Sequence, residues 1–149
     1  MSISRTTSEI PVKTLGRAAL LSTALFLFGG FLVARMVSPD PRGFGTHQQF
    51  GLPPCSVRTV FGYPCPGCGM TTCFAHFVRG EFAEATRANL AGVVLAAVCA
   101  LIIPWCLWSA WIGRLWLVSD PVVVGGGLTI SLSGLALALW LARMISART

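Results

Sequence analysis

Residues 88–113 read ANLAGVVLAAVCALIIPWCLWSAWIG, an uninterrupted uncharged run between Arg87 and Arg114. A helix rises about 1.5 Å per residue, so crossing a hydrocarbon core of about 30 Å takes about 20 apolar residues. This run is long enough to do it. Two more runs accompany it: Ala18 to Ala34, between Arg17 and Arg35, and Pro121 to Ala142, between Asp120 and Arg143. The first is short, but arginine stems lie along apolar surface while their heads stay wet, which carries the span to residue 37. One such run alone reads as a buried core helix. Three in 149 residues leave too little chain to cover them. The expected fold is therefore an all-α integral membrane protein with three transmembrane helices, at 18–37, 88–113 and 121–142, between a polar segment 1–17 and a tail 143–149. A cleaved signal peptide is the alternative for the first run, given the basic flank of Arg5, Lys13 and Arg17. The run exceeds the usual apolar length of such peptides and no A-x-A site follows it, so a retained anchor is expected.

Composition agrees. The chain is 54% hydrophobic and 11% charged, with a mean hydropathy of +0.74, whereas soluble domains carry about 25% charged residues to meet water. The net charge of +6 comes from ten Arg and one Lys against five acids. No two cations are adjacent, and most flank an apolar run, which suits membrane borders and excludes a nucleic-acid-binding face.

Within the spans, Gly127, Ser131, Gly134 and Ala138 recur at steps of four, three and four and share one helix face. Between lipid-immersed helices, close backbone approach drives association, so this face is an expected seam toward another membrane protein or a second copy. Ala18, Ser22, Leu25 and Gly29 form a weaker stripe on the first span. Pro104 interrupts the backbone ladder of the second span. Trp105, Trp108, Trp111 and Trp116 crowd its end, where amphipathic rings favour the bilayer interface.

The segment between the first two spans carries the chemistry. Residues 38–64 are expected to be an irregular loop, since Ser38 to Pro54 holds four Pro and three Gly. Four of the six cysteines, Cys55, Cys65, Cys68 and Cys73, crowd into one short stretch, with His76 close behind. In CPGCG, Pro66 and Gly67 supply a tight turn that lets two sulfurs reach one ion or each other. From Met70 an amphipathic interfacial helix is expected, capped by Thr71 or Thr72 and stopped by Gly80, so that 65–87 forms the motif and its interfacial helices.

The stretch LPPCSVRTVFGYPCPGCGMTTCFAHFVRGEFAEATRANLAG, residues 52–92, resembles the core of a bacterial membrane family catalogued as domain of unknown function 2752. The matching positions are Cys55, Gly62, Cys65, Pro66, Cys68, Gly69, Thr71, Gly80, Glu81, Ala85 and Asn89. Thr72 stands where the family has Arg, and Leu90 where it has Pro. The resemblance implies a small multi-pass protein of a bacterial inner membrane and no established activity.

Three uses of the sulfurs are open. Cys55, Cys65, Cys68 and either Cys73 or His76 supply four ligands for zinc, the staple of a non-enzymatic accessory or scaffold module. Alternatively, Cys65 and Cys68 are the catalytic pair of a membrane thiol–disulfide oxidoreductase, exchanging with Cys55. The third use is a structural disulfide from Cys55 to Cys65 or Cys68. Cys99 and Cys106 lie two helical turns apart inside a span, about 10.5 Å along the axis, too far to bond. They read as small apolar residues. Glu81 and Glu84 with Arg79 and Arg87 read as a solvated face of local pairs. Orientation bears on the choice: four cations (Arg5, Lys13, Arg17, Arg114) lie on one side of the membrane, and seven (Arg35, Arg42, Arg58, Arg79, Arg87, Arg143, Arg148) lie on the cysteine side. The positive-inside rule then puts the cysteine loop in the cytoplasm.

Overall fold

A computed structural model describes residues 11–146 of the chain; the polar segment before Pro11, with Arg5, and the end of the tail, with Arg148, lie outside them. Three helices are long and apolar enough to cross a membrane: α1 (Thr14–Met36), α5 (Leu90–Ile112) and α6 (Pro121–Ser146). Between α1 and α5 lie a 3-10 turn (Thr46–Phe50) and the short helices α2 (Ser56–Phe61), α3 (Met70–Phe77) and α4 (Phe82–Ala88). No strand occurs among the described residues. The 38–64 segment is thus more ordered than its composition suggests. Elements as short as the 3-10 turn and α2 leave no periodic pattern to read.

α1 packs along α5, and the residues buried on the two helices are small. Ala24 and Ala34 are buried on α1, and Ala91, Gly92, Ala96, Cys106, Ser109 and Ala110 on α5. With no hydrophobic drive between helices in lipid, such residues let backbones approach and gain dispersion contact. The stripe of Ala18, Ser22 and Leu25 stays exposed. The face of α6 bearing Gly127, Ser131, Gly134 and Ala138 is exposed too, with nothing of the chain within 4 Å of a Cβ added at Gly127 or Gly134. At the far end, Val12 donates to the Gly113 carbonyl at 2.8 Å and the Trp105 indole to the Trp116 carbonyl at 2.8 Å. Trp111 remains 83% exposed there, as an interfacial ring should.

α3 does not lie on the surface with one face free. Thr72, Cys73 and Ala75 are buried, and Phe74 and Phe77 stack on Phe31 of α1 at centroid distances of 5.8 and 6.2 Å. Its N-cap is Gly69 rather than Thr71 or Thr72, and Gly80 turns the chain just beyond its end with φ +77°. Arg79 also departs from the expected solvated face. Its guanidinium donates to the carbonyls of Ala34 (3.2 Å), Arg35 (2.8 Å) and Val37 (2.6 Å), and to Ala75 of its own helix. It satisfies carbonyls that the end of α1 leaves without helical partners. Glu81 pairs with His76 instead, and Glu84 with Arg87. Arg79→Met removes a charged donor from these carbonyls and is expected to destabilise the protein by about 2–3 kcal/mol. Unfolding in detergent measures it, and a loss no larger than that of an exposed Arg35→Met would refute the capping role.

Candidate metal centre

Three loops are tied into one site. Cys55 ends the irregular segment as the N-cap of α2. The motif closes on itself through Cys68 N–H to the Cys65 carbonyl (3.0 Å) and Met70 N–H to the Gly67 carbonyl (3.0 Å). Asn89, 3% exposed, holds this turn from below. Its Nδ2 donates to the carbonyls of Pro66 (3.3 Å) and Cys68 (3.1 Å), while its Oδ1 caps α5 by accepting from Gly92 N–H (3.0 Å). From α6, the Trp140 indole donates to the Pro64 carbonyl at 2.7 Å. Gly69 has φ +84°, and a Cβ there would sit 2.5 Å from the Ala88 carbonyl oxygen and 2.7 Å from that of Gly43. Only glycine lets the turn seat this closely.

The Sγ atoms of Cys55, Cys65 and Cys68 lie within 4.8 Å of one another, with Cys55 and Cys65 in contact at 3.4 Å. The structure brings these three expected ligands together and leaves the other two elsewhere. Cys73 is fully buried and points at Gly92, where an added Cβ would lie 2.9 Å from its sulfur. His76 Nδ1 is engaged with Glu81 at 2.6 Å. The cause is helical geometry: α3 turns Cys73 toward α5 and His76 away from the CPGC turn. Cys99 and Cys106 sit in α5, outside the cluster, in line with an apolar role.

The Cys55 and Cys65 thiols are not equivalent. The Arg58 amide at the start of α2, with the Cys65 thiol next, holds the Cys55 thiol below its ordinary value. Burial, then the hydrogen bond with Cys55, pushes Cys65 up to about 11. Of these two, Cys55 therefore ionises first, and further thiolates so close together are opposed by mutual repulsion unless a cation joins them. A cavity of about 570 Å³ borders all three sulfurs, with Thr71, Thr72 and His47 on its walls. Thr72 is buried and shares a 2.8 Å hydrogen bond with Thr46, which in turn accepts from Asp40 N–H at 2.9 Å. Here the position serves to pin the 3-10 turn to α3.

Burial pushes the Cys73 thiol up to about 11, from an ordinary 9.0. The folded state thus keeps a proton that the unfolded chain releases above pH 9, so stability is full below pH 9 and falls toward pH 11, by about 1.4 kcal/mol per pH unit for this group. Cys73→Ala is expected to flatten that fall in pH-dependent unfolding, and an unchanged slope would contradict it.

Asn89 stands in the sequence as one of the positions the resemblance matches, which says nothing of the cap it forms or of the loop it holds. Trp140 stands far along the chain from Pro64 and gives no sequence sign of its bond. No curated protein and no solved structure matches the chain. Residues 55–103, from the first clustered cysteine through Asn89 into α5, match the family described as protein of unknown function (DUF2752).

Proposed function

We propose that the protein is a small multi-pass module of a bacterial inner membrane that holds a thiophilic divalent cation, zinc foremost, on Cys55, Cys65 and Cys68. The observation that carries this is the gathering of three sulfurs within 4.8 Å. Zinc–sulfur bonds of about 2.3 Å in a tetrahedron put sulfurs about 3.8 Å apart, inside the observed spread. Soft thiolates select zinc over magnesium or calcium, and the ion's charge relieves the repulsion that opposes ionising all three. With Cys73 and His76 turned elsewhere, the fourth position opens to solvent in the adjoining cavity. The excess of cations on the cysteine side supports a cytoplasmic loop, where reducing conditions keep thiols available. The role is that of a non-enzymatic accessory component, with the unfilled small-residue face of α6 supporting association with another span.

The full chain, purified in neutral detergent without chelator, is expected to retain about one equivalent of zinc per chain. Cobalt replacing zinc should give thiolate-to-metal absorption. Cys68→Ser is expected to weaken binding on the order of 100-fold, and Cys99→Ser to leave it unchanged. Less than a quarter-equivalent of any metal would overturn the proposal. So would a disulfide among Cys55, Cys65 and Cys68 in protein alkylated in intact cells, which would favour the thiol–disulfide oxidoreductase instead.

A further inference from the structure

A second cavity, of about 680 Å³, adjoins the first at Arg42, Phe44, Arg58 and Cys68 and is bordered by four arginines from separate elements: Arg42 from the loop, Arg58 from α2, Arg87 from α4 and Arg143 from α6. No carboxylate among the described residues lines it. Two of the arginines are neutralised from outside: Arg42 by Asp40 at 2.7 Å, and Arg87 by Glu84. The Arg42 hydrogen bonds hold Asp40 below the usual carboxylate range, so that pair stays ionised and neutral overall. The other two have no acid among the described residues. The Arg58 guanidinium carbon lies over the Phe44 ring, 3.6 Å from its centroid, and Arg143 donates to the carbonyls of Ala88 (2.9 Å) and Arg87 (3.3 Å). Stacking and carbonyl bonds orient a guanidinium without cancelling its charge, so the cavity carries two uncompensated positive charges in fixed positions.

The rest of the lining is apolar and belongs to helix ends. Leu90 and Ala91 open α5, while Ala136, Leu139 and Trp140 lie in the last turns of α6. These turns mark where two spans leave the bilayer, the level at which lipid phosphates sit. Below them α6 is nearly unburied, with nothing within 4 Å of a Cβ added at Gly125, Gly126, Gly127 or Gly134. A cationic mouth over an open apolar groove matches an amphiphile with an anionic head.

From this geometry we infer that the cavity binds the phosphate of an anionic phospholipid, with Arg58 and Arg143 on the phosphate oxygens and the acyl chains lying between α5 and α6. Arginine forks pair with phosphate oxygens in a bidentate fashion, and basic pockets between spans take up anionic headgroups. The cavity meets the metal centre at Cys68 and shares Arg58 with the cavity beside the sulfurs, while Arg143 belongs to it alone of the two.

The test uses the full chain in neutral detergent, offered phosphatidylglycerol or phosphatidylcholine of matched chains, with retained lipid counted by native mass spectrometry. Phosphatidylglycerol is expected to be retained about tenfold more tightly, because its phosphate leaves the headgroup negative whereas the choline cation of phosphatidylcholine cancels that charge and is repelled by the arginines. Arg58→Gln should cut that preference by about tenfold, and Arg58→Lys, which keeps the charge but loses the fork, should cut it less. Arg35→Gln, which changes a cation outside the cavity, should leave it intact. Equal retention of the two lipids by the unaltered chain would overturn the inference without recourse to any variant. An equal loss with Arg35→Gln would reduce the effect to general surface charge and overturn it as well. Inorganic phosphate in large excess should not strip the lipid; if it does, the cavity serves a soluble phosphate ester and the lipid assignment fails.

Discussion

Gly69→Val is expected to destabilise the protein by at least about 3 kcal/mol and to abolish metal retention. Two costs add. A β-branched residue at φ +84° occupies a left-handed conformation, which costs about 1–2 kcal/mol for an L-residue. Its Cβ also meets two backbone oxygens, of Ala88 at 2.5 Å and Gly43 at 2.7 Å. Neither can swing aside as a side chain would. One ends α4 and the other belongs to the loop before the 3-10 turn, so relief requires lifting the cysteine turn off both. Gly67 provides the contrast. It lies two residues away in the same turn, with nothing within 4 Å of an added Cβ and no positive φ. Gly67→Ala is therefore expected to change stability by no more than about 0.5 kcal/mol. Unfolding in detergent, with bound zinc measured in parallel, compares the two. Similar losses at both positions would show that the close seating of Gly69 is not what orders the turn.

Asn89→Leu comes next in size, because one buried side chain performs two tasks. It loses the cap on Gly92 N–H, worth about 0.5–2 kcal/mol, and it strips the carbonyls of Pro66 and Cys68 of their donor, which costs about 1–3 kcal/mol for buried groups. A total of about 2–4 kcal/mol is expected. Asn89→Asp separates the tasks. The carboxylate still accepts from Gly92 N–H, so α5 keeps its cap, but it cannot donate to the two carbonyls and adds negative charge beneath the thiolates. Zinc affinity is expected to fall by about 10–100-fold, as when an outer partner of a ligand is removed, while helix content is retained. Affinity equal to that of the unaltered chain would mean that Asn89 does not position Cys68.

How much of this is readable from the amino acids varies by element. The spans are, because uncharged length and flanking arginines are local properties, and the observed helices begin and end within a few residues of the charges at Arg17, Arg35, Arg87, Arg114 and Asp120. The sulfur trio is readable in outline, since spacing and the CPGCG turn keep Cys65 and Cys68 near each other. Which candidate side chains stand apart from the trio is not. Cys73 and His76 are close in sequence, but α3 rotates each away from the turn, and that rotation follows from the packing of Phe74 and Phe77 on Phe31.

The α1 and α5 seam makes the same point. Small residues stand out where they form a regular stripe, yet the pair buried on α1 is Ala24 and Ala34, which form no conspicuous pattern. Hydropathy and charge follow from the amino acids alone, so the lipid environment, the number of spans and the place of the cysteine loop are inherent in the order of residues. Which helix faces meet, which sulfurs share a centre, and how arginines from four distant segments come to surround one cavity are decided by long-range contacts: Asn89 under the turn, Trp140 on Pro64 and Arg79 on the end of α1. Such bonds join residues tens of positions apart, and no local pattern encodes a partner at that distance.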